Sequence, residues 1–224
     1  MKNIIIAIII VLLAFFIYKE YNKDKIQTPA SVNTEVQGTT TESMELENRS
    51  NEVSMIEEGE YTVMASESSL SWEGRMGQVK SHIGSFGIQS GSLMVGTEGS
   101  TTGGIVIDMN DIQSDSGDGL NDHLKNEDFF ETETYPTAEF NVTSMNQTSI
   151  IGDLMIKGQT HPVEIPVTIS MDANNKTILM GDFNLDRAKW DIRYGSSSFF
   201  SDLGDKVIDD VVPVMFKIVL EKQS

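Results

Sequence analysis

Apolar and polar residues alternate along much of this chain. Val163, Ile165, Val167 and Ile169 alternate with Glu164, Pro166, Thr168 and Ser170, and Val212, Val214, Phe216, Ile218 and Leu220 repeat the same period. Ile105, Ile107 and Met109 stand opposite Asp108 and Asn110, and Phe183 and Leu185 alternate with Asn184 and Asp186. Successive side chains of a strand point to opposite faces, so each series predicts a strand with one buried face. Breaks such as Gly103-Gly104 and Asn174-Asn175 separate the series. Gly74, Gly77, Gly84, Gly87, Gly91 and Gly96 recur early in this region, where glycine marks a bulge, a barrel corner or an ordinary turn. A single segment, about Leu120 to Phe129, reads as helix, entered after Asp118-Gly119. Many short strands with one helix predict an all-β antiparallel barrel or sandwich.

The N-terminal part has a different pattern. Ile4 to Tyr18 is an uncharged apolar run that would span about 22 Å as a helix. That is short against a hydrocarbon core of about 30 Å, and it also fits the apolar region of a secretory signal. The charged stretch Lys19–Lys25 has no small-x-small cleavage pattern, which favours an uncleaved membrane helix with the rest of the chain exported. The alternative is cleavage near Ala30 and a secreted or periplasmic product. Residues 26–57 are rich in Thr, Ser, Glu and Asn and hold no aromatic residue, the composition of a disordered stalk. The expected organisation is an anchor or signal at 1–25, a stalk at 26–57 and a barrel at 58–224.

Charge and composition narrow the function. The chain has 224 residues and a net charge of −18, most of the acidic excess lying after Glu57. Such a surface opposes phosphate-tracking contact, so no nucleic acid is expected as partner. There is no Cys, which excludes disulfides, thiolate metal sites and a Cys nucleophile. No phosphate-loop or dinucleotide spacing occurs, and no cofactor is expected. Asp108, Asp111, Asp115 and Asp118 read as a solvated acidic loop, because calcium-ligand spacing fails at Gln113. His123 and Glu127 are spaced to share one face of the helix, a weak metal motif, and no metal is expected.

The order of several short motifs is more specific. It runs Trp72-Glu73-Gly74, Ser81-His82-Ile83-Gly84, Gly104 to Met109, His123 to Phe130, Tyr135 to Phe140, Gly152 to Gly158 and Asp186 to Ser196, with Leu203 to Lys206. The series resembles the YceI-like family of polyisoprenoid-binding, lipocalin-like proteins, in the version common in the Bacteroidetes group. The resemblance implies an eight-stranded antiparallel barrel with one helix, extracytoplasmic, around an elongated apolar interior that holds an isoprenoid chain. An eight-stranded barrel is about the size that side chains fill or one slender ligand occupies. The expected partner is therefore an isoprenoid-type lipid, a quinone or polyprenyl chain, and the membrane is met through the N-terminal helix.

Aromatic side chains are the candidate ligand contacts: Trp72, Phe86, Phe129, Phe130, Tyr135, Phe140, Phe183 and Trp190, with His82 as a head-group contact or a structural imidazole. Each aromatic also fits an ordinary core. Basic residues at Arg75–Lys80 and at Arg187, Lys189 and Arg193 would hold a pyrophosphate if they rim the mouth. Otherwise the acidic field favours a neutral ligand. No catalytic residue is expected. Two other readings stand beside the lipid carrier: an enzyme acting on a hydrophobic substrate, and a filled structural or stress-related domain.

Overall fold

The computed structural model describes residues 56–77, 80–97 and 100–223. The expected membrane helix over Ile4–Tyr18, and the stalk up to residue 55, lie outside the described residues. Ile56 and Glu57, assigned above to the stalk, belong to the folded domain. Ile56 packs against the core, the Tyr61 hydroxyl donates to the Glu57 carbonyl at 2.8 Å, and Lys222 pairs with the Glu57 carboxylate at 2.8 Å. No helix among the described residues is long and apolar enough to cross a membrane.

Ten strands form one antiparallel sheet that curls into a barrel: β1 (Gly59–Val63), β2 (Ser69–Met76), β3 (Lys80–Val95), β4 (Thr101–Ser114), β5 (Thr137–Met145), β6 (Ser149–Ile156), β7 (Gln159–Pro166), β8 (Thr168–Met171), β9 (Thr177–Asp186) and β10 (Val211–Lys222). The only α-helix among the described residues, α1 (Asp118–Lys125), follows β4. The ladder runs β7-β6-β5-β4-β3-β1-β10-β9-β8, and β2 also pairs with both β3 and β10.

Ten strands stand where eight are expected, because two stretches of chain are each divided. β1 and β2 occupy the same slot between β3 and β10, separated by a 3-10 turn at Ala65–Glu67. The Ser68 hydroxyl bridges that break, accepting from the Val219 amide at 2.9 Å and donating to the Met64 carbonyl at 2.9 Å. β7 and β8 are separated only by Val167. They are also the two ends of the ladder, so the chain itself joins β6 to β9 and completes the ring. The expected strand Val163–Ile169 is real in outline but switches partner at Val167, whose amide bonds to Thr148 instead.

Three of the four period-2 series face inward throughout, and in the fourth, Val163–Ile169, Ile165 lines the interior. Val212, Val214, Phe216, Ile218 and Leu220 of β10, Ile105, Ile107 and Met109 of β4, and Phe183 and Leu185 of β9 all line the interior. Sixteen residues make β3 the longest strand, and bulges at Phe86/Gly87 and Ile88/Ser90 change its register against β4. Such bulges bend a strand and let a sheet curl.

The helix is shorter than the apolar pattern predicts. The Asn126 side chain accepts the Asp128 amide at 2.9 Å, an Asx turn that competes with helix continuation after Lys125. His123 therefore pairs with Asp128, at 3.0 Å, and not with Glu127. The acidic loop is also redrawn. Asp108 and Asp111 lie on β4, which continues to Ser114, so only Asp115 and Asp118 flank the turn into α1.

Candidate functional site

The inward alternation encloses a cavity of about 200 Å³ along the barrel. Apolar cavities near ~150 Å³ already exclude water and take up benzene, so this one is large enough for a hydrocarbon segment. Strands on every side supply Leu, Ile, Val, Met and Phe side chains. One end, here the upper end, is where β2, β4 and β9 finish and β3 and β10 begin. It is covered by α1, through Leu124, and by the segment between β9 and β10, through Ile192 and Ile208.

Of the nine residues singled out in the sequence, six meet in the cavity wall: Trp72, Phe86, Phe129, Phe130, Phe140 and Phe183. The Trp72 and Phe86 rings are 6.4 Å apart, and Phe86 meets Phe130 edge-on at 5.7 Å. Gly84 makes the Trp72 placement possible. A Cβ there would overlap the indole atoms Cε2 and Cζ2 and the Gln113 carbonyl. Phe129 lines the cavity and also touches His123 at 5.0 Å and Tyr194 at 5.2 Å, tying α1 to the covering segment.

The other three lie elsewhere. Trp190, 1% exposed, donates its indole N–H to the Leu154 carbonyl at 3.1 Å and meets His161 edge-on at 5.2 Å, but it is not among the lining residues. Tyr135 lies over the β6–β7 turn, its ring 3.0 Å from where a Cβ on Gly158 would be. Gly158 has φ +70°, the left-handed conformation this two-residue turn needs. His82 sits on β3 near the upper rim, with its ring partly exposed.

His82, Asp115 and Ser116 invite comparison with a nucleophile–base–acid relay. The Ser116 hydroxyl lies 2.7 Å from His82 Nδ1, and Asp115 lies 3.2 Å from that same nitrogen. A relay needs the nucleophile on one ring nitrogen and the carboxylate on the other. Both partners on one nitrogen leave this trio unable to pass a proton in that way. No group of three or more His, Asp and Glu side chains arranged to hold a metal occurs among the described residues.

Arg187 is the wall residue that apolar periodicity does not find. It is 4% exposed, and its guanidinium donates to the carbonyls of Asp209 (3.1 Å), Ile192 (2.8 Å) and Ile208 (3.1 Å). Asp210 lies 3.4 Å away. Burial lowers the Arg187 pKa from its usual range, against the raising effect of Asp210, Asp186 and Asp209. Burial pushes the Asp210 carboxyl up, but hydrogen bonds from Ser196 and Ser198 and the Arg187 charge outweigh it and hold the group below the usual carboxylate range. Arg187 thus joins the two ends of the covering segment from inside. Two further basic residues of these clusters are also engaged. Arg75 pairs with Glu73 at 2.9 Å, and Arg193 pairs with Asp191 at 2.6 Å.

Two solved structures share this architecture. BcnA from Burkholderia cenocepacia is 22% identical, with a TM-score of 0.56 over 70% of this chain and 98% of that one. A polyisoprenoid binding domain from Saccharophagus degradans is 18% identical, with a TM-score of 0.58 over 73% of this chain and 98% of that one. No curated protein matches the chain. The likeness to the two structures establishes the lipocalin-like fold. The YceI-like domain profile matches residues 61–220, from the first strand of the barrel to the last, and on that match the chain belongs to the YceI-like domain family.

Proposed function

We propose that the domain binds an isoprenoid-type lipid, a quinone or polyprenyl chain, inside the barrel, and sequesters or carries it outside the cytoplasm. The observation that carries this reading is the cavity of about 200 Å³, walled on all sides by apolar side chains. Each buried CH₂ of a ligand contributes about 0.8 kcal/mol, so a flexible hydrocarbon chain gains affinity along its length without any directional contact. The lining rings and methionine tolerate the irregular outline of a methyl-branched chain. The similar domain from Saccharophagus degradans is described as polyisoprenoid binding, which agrees with this reading. In the same proposal the apolar run Ile4–Tyr18 tethers the chain to a membrane and residues 26–57 act as its stalk.

Native mass spectrometry of the full chain, purified from its own host, tests the binding. A co-purifying lipid of regular five-carbon increments is the expected result. Repeated isolation of empty protein that also takes up no added isoprenoid would overturn it. Membrane fractionation tests the tether: the expected product is full-length and membrane-bound, and soluble protein trimmed near Ala30 would replace the anchor with a cleaved signal.

A further inference from the structure

The segment that covers the upper end differs from the barrel wall in what it shows to solvent. Tyr194, Phe199 and Phe200 are 43%, 39% and 49% exposed, and Val211, where β10 begins, is 51% exposed. These side chains are held together. Phe199 and Phe200 close a turn in which both amides bond to the Ser196 carbonyl, at 3.3 and 3.1 Å. Arg193, the chain neighbour of Tyr194, lays its guanidinium 5.0 Å from the centre of the Phe199 ring. The Ser198 hydroxyl donates to the Asp210 carboxylate at 2.7 Å and ties the turn to the start of β10. Tyr194 rests on Phe129, which lines the cavity. The exposed group is thus one side chain away from the apolar interior.

Charge divides in the same way. Residues 187–210 carry four basic and five acidic side chains, whereas 58–186 and 211–224 together carry seven basic and 21 acidic. The cover is nearly neutral on a strongly acidic barrel, and Lys189 and Lys206 are exposed on it. The helix side of the same end is acidic, with Asp118, Asp122, Glu127 and Asp128 exposed, so contact falls to the cover and not to α1. A basic protein partner would be drawn to the acidic wall instead, and a second copy of this chain would bring two acidic walls together. Aromatic rings with cations beside them suit the boundary between headgroups and acyl chains.

The point where the remaining chain joins the domain permits this contact. β1 begins beside Val95, the last residue of β3, and so at the end of the barrel opposite the cover. Residues 19–55 separate the apolar run from the described domain, and these 37 residues reach at most roughly 130 Å. The 16 residues of β3, the longest strand, run about 53 Å. A chain held by its N-terminal run can therefore turn its far end to the same membrane.

We propose that the covering segment is a membrane-docking surface. Tyr194, Phe199 and Phe200 insert among the headgroups of a lipid bilayer, with Lys189 and Lys206 near the phosphates, and the ligand passes between bilayer and cavity at this end. The passage, though not the docking, rests on the lipid-binding reading above.

The chain has no Cys, so a single introduced cysteine can be labelled alone. A nitroxide is attached to the full-length chain at Ser197→Cys on the cover, or at Ala173→Cys in the turn between β8 and β9 at the opposite end. Each labelled chain is reconstituted with phosphatidylcholine vesicles. The label at 197 is expected to gain contact with oxygen dissolved in the bilayer and to lose contact with a water-soluble nickel complex, while the label at 173 stays in water. Phe199→Ser with Phe200→Ser is expected to return the label at 197 to water. It is also expected to slow uptake of geranylgeraniol from the vesicles about tenfold, the loss of two partly buried rings. Phe199→Trp with Phe200→Trp is expected to keep both insertion and uptake.

A label at 197 as open to water as the label at 173 would overturn the docking surface. So would unchanged insertion in the serine variant, or loss of insertion in the serine and tryptophan variants alike, which would trace the effect to a disturbed cover. Insertion at 197 with no uptake of geranylgeraniol would leave the docking standing and remove the lipid-binding reading with the passage built on it. Geranylgeraniol taken up by a chain whose label at 197 stays in water would do the reverse.

Discussion

β10 and the segment before it, Arg187–Asp210, are neighbours in the chain but are held in different ways. In β10 the backbone pairs with β9, β1 and β2, and alternate side chains turn into a space they do not fill. In the covering segment little of the backbone belongs to a ladder. Its carbonyls at Ile192, Ile208 and Asp209 converge on one buried guanidinium, and Trp190 is fastened to Leu154 of the wall. The wall is redundant, since many similar residues share one task. The cover depends on a few polar contacts, each of which leaves a buried group unsatisfied when it is lost.

That contrast ranks the expected effects of substitution. Arg187→Ala should cost most, about 3–5 kcal/mol in chemical denaturation, because it strands the partly buried Asp210 carboxylate and three carbonyls. Trp190→Phe should come next, at about 1–3 kcal/mol, since the ring volume is partly kept while the Leu154 carbonyl loses its donor. Ile218→Val in the wall should cost about 0.5–1.5 kcal/mol, one methyl beside existing space. If this wall variant cost more than either variant in the cover, the contrast would be reversed.

A subtler effect separates the two regions by pH. Asp210 is held below its usual range when folded, so its contribution is present above the unfolded carboxyl pKa of about 4 and is lost as the pH falls through the lower folded value. Thermal unfolding from pH 6 downward should show a flatter acid limb in Asp210→Asn than in the unmodified chain. An identical limb in the two proteins would mean that the cover is not the acid-sensitive region. The smallest effect is expected at Lys222→Gln, which removes the exposed pair with Glu57 and should leave the denaturation midpoint unchanged.

The legibility of the candidate site follows the same division. Phe183 of β9 and Phe140 of β5 are placed by alternation, and both reach the cavity. Trp190 has the same chemistry as Trp72 and stands in an equally suggestive motif, yet it is buried outside the cavity wall. Its position is decided by Leu154, which is 36 residues away in the chain. Arg187 reads in sequence as one of a basic cluster available to a phosphate. Folding instead surrounds it with backbone carbonyls from Ile192, Ile208 and Asp209, and a lone arginine carries no local signal of that fate.

The sequence by itself determined which side of each strand is apolar, because side-chain direction along a strand has a period of two and needs only neighbouring residues to be read. It also determined, through the order of its motifs, the family and hence the kind of fold. Only the tertiary structure decided where the sheet divides, at Ala65–Glu67 and at Val167, and which buried polar atoms find partners. Those outcomes depend on contacts between residues distant in the chain. The indole N–H of Trp190 meets a carbonyl and that of Trp72 does not, a difference that no local pattern around either residue contains.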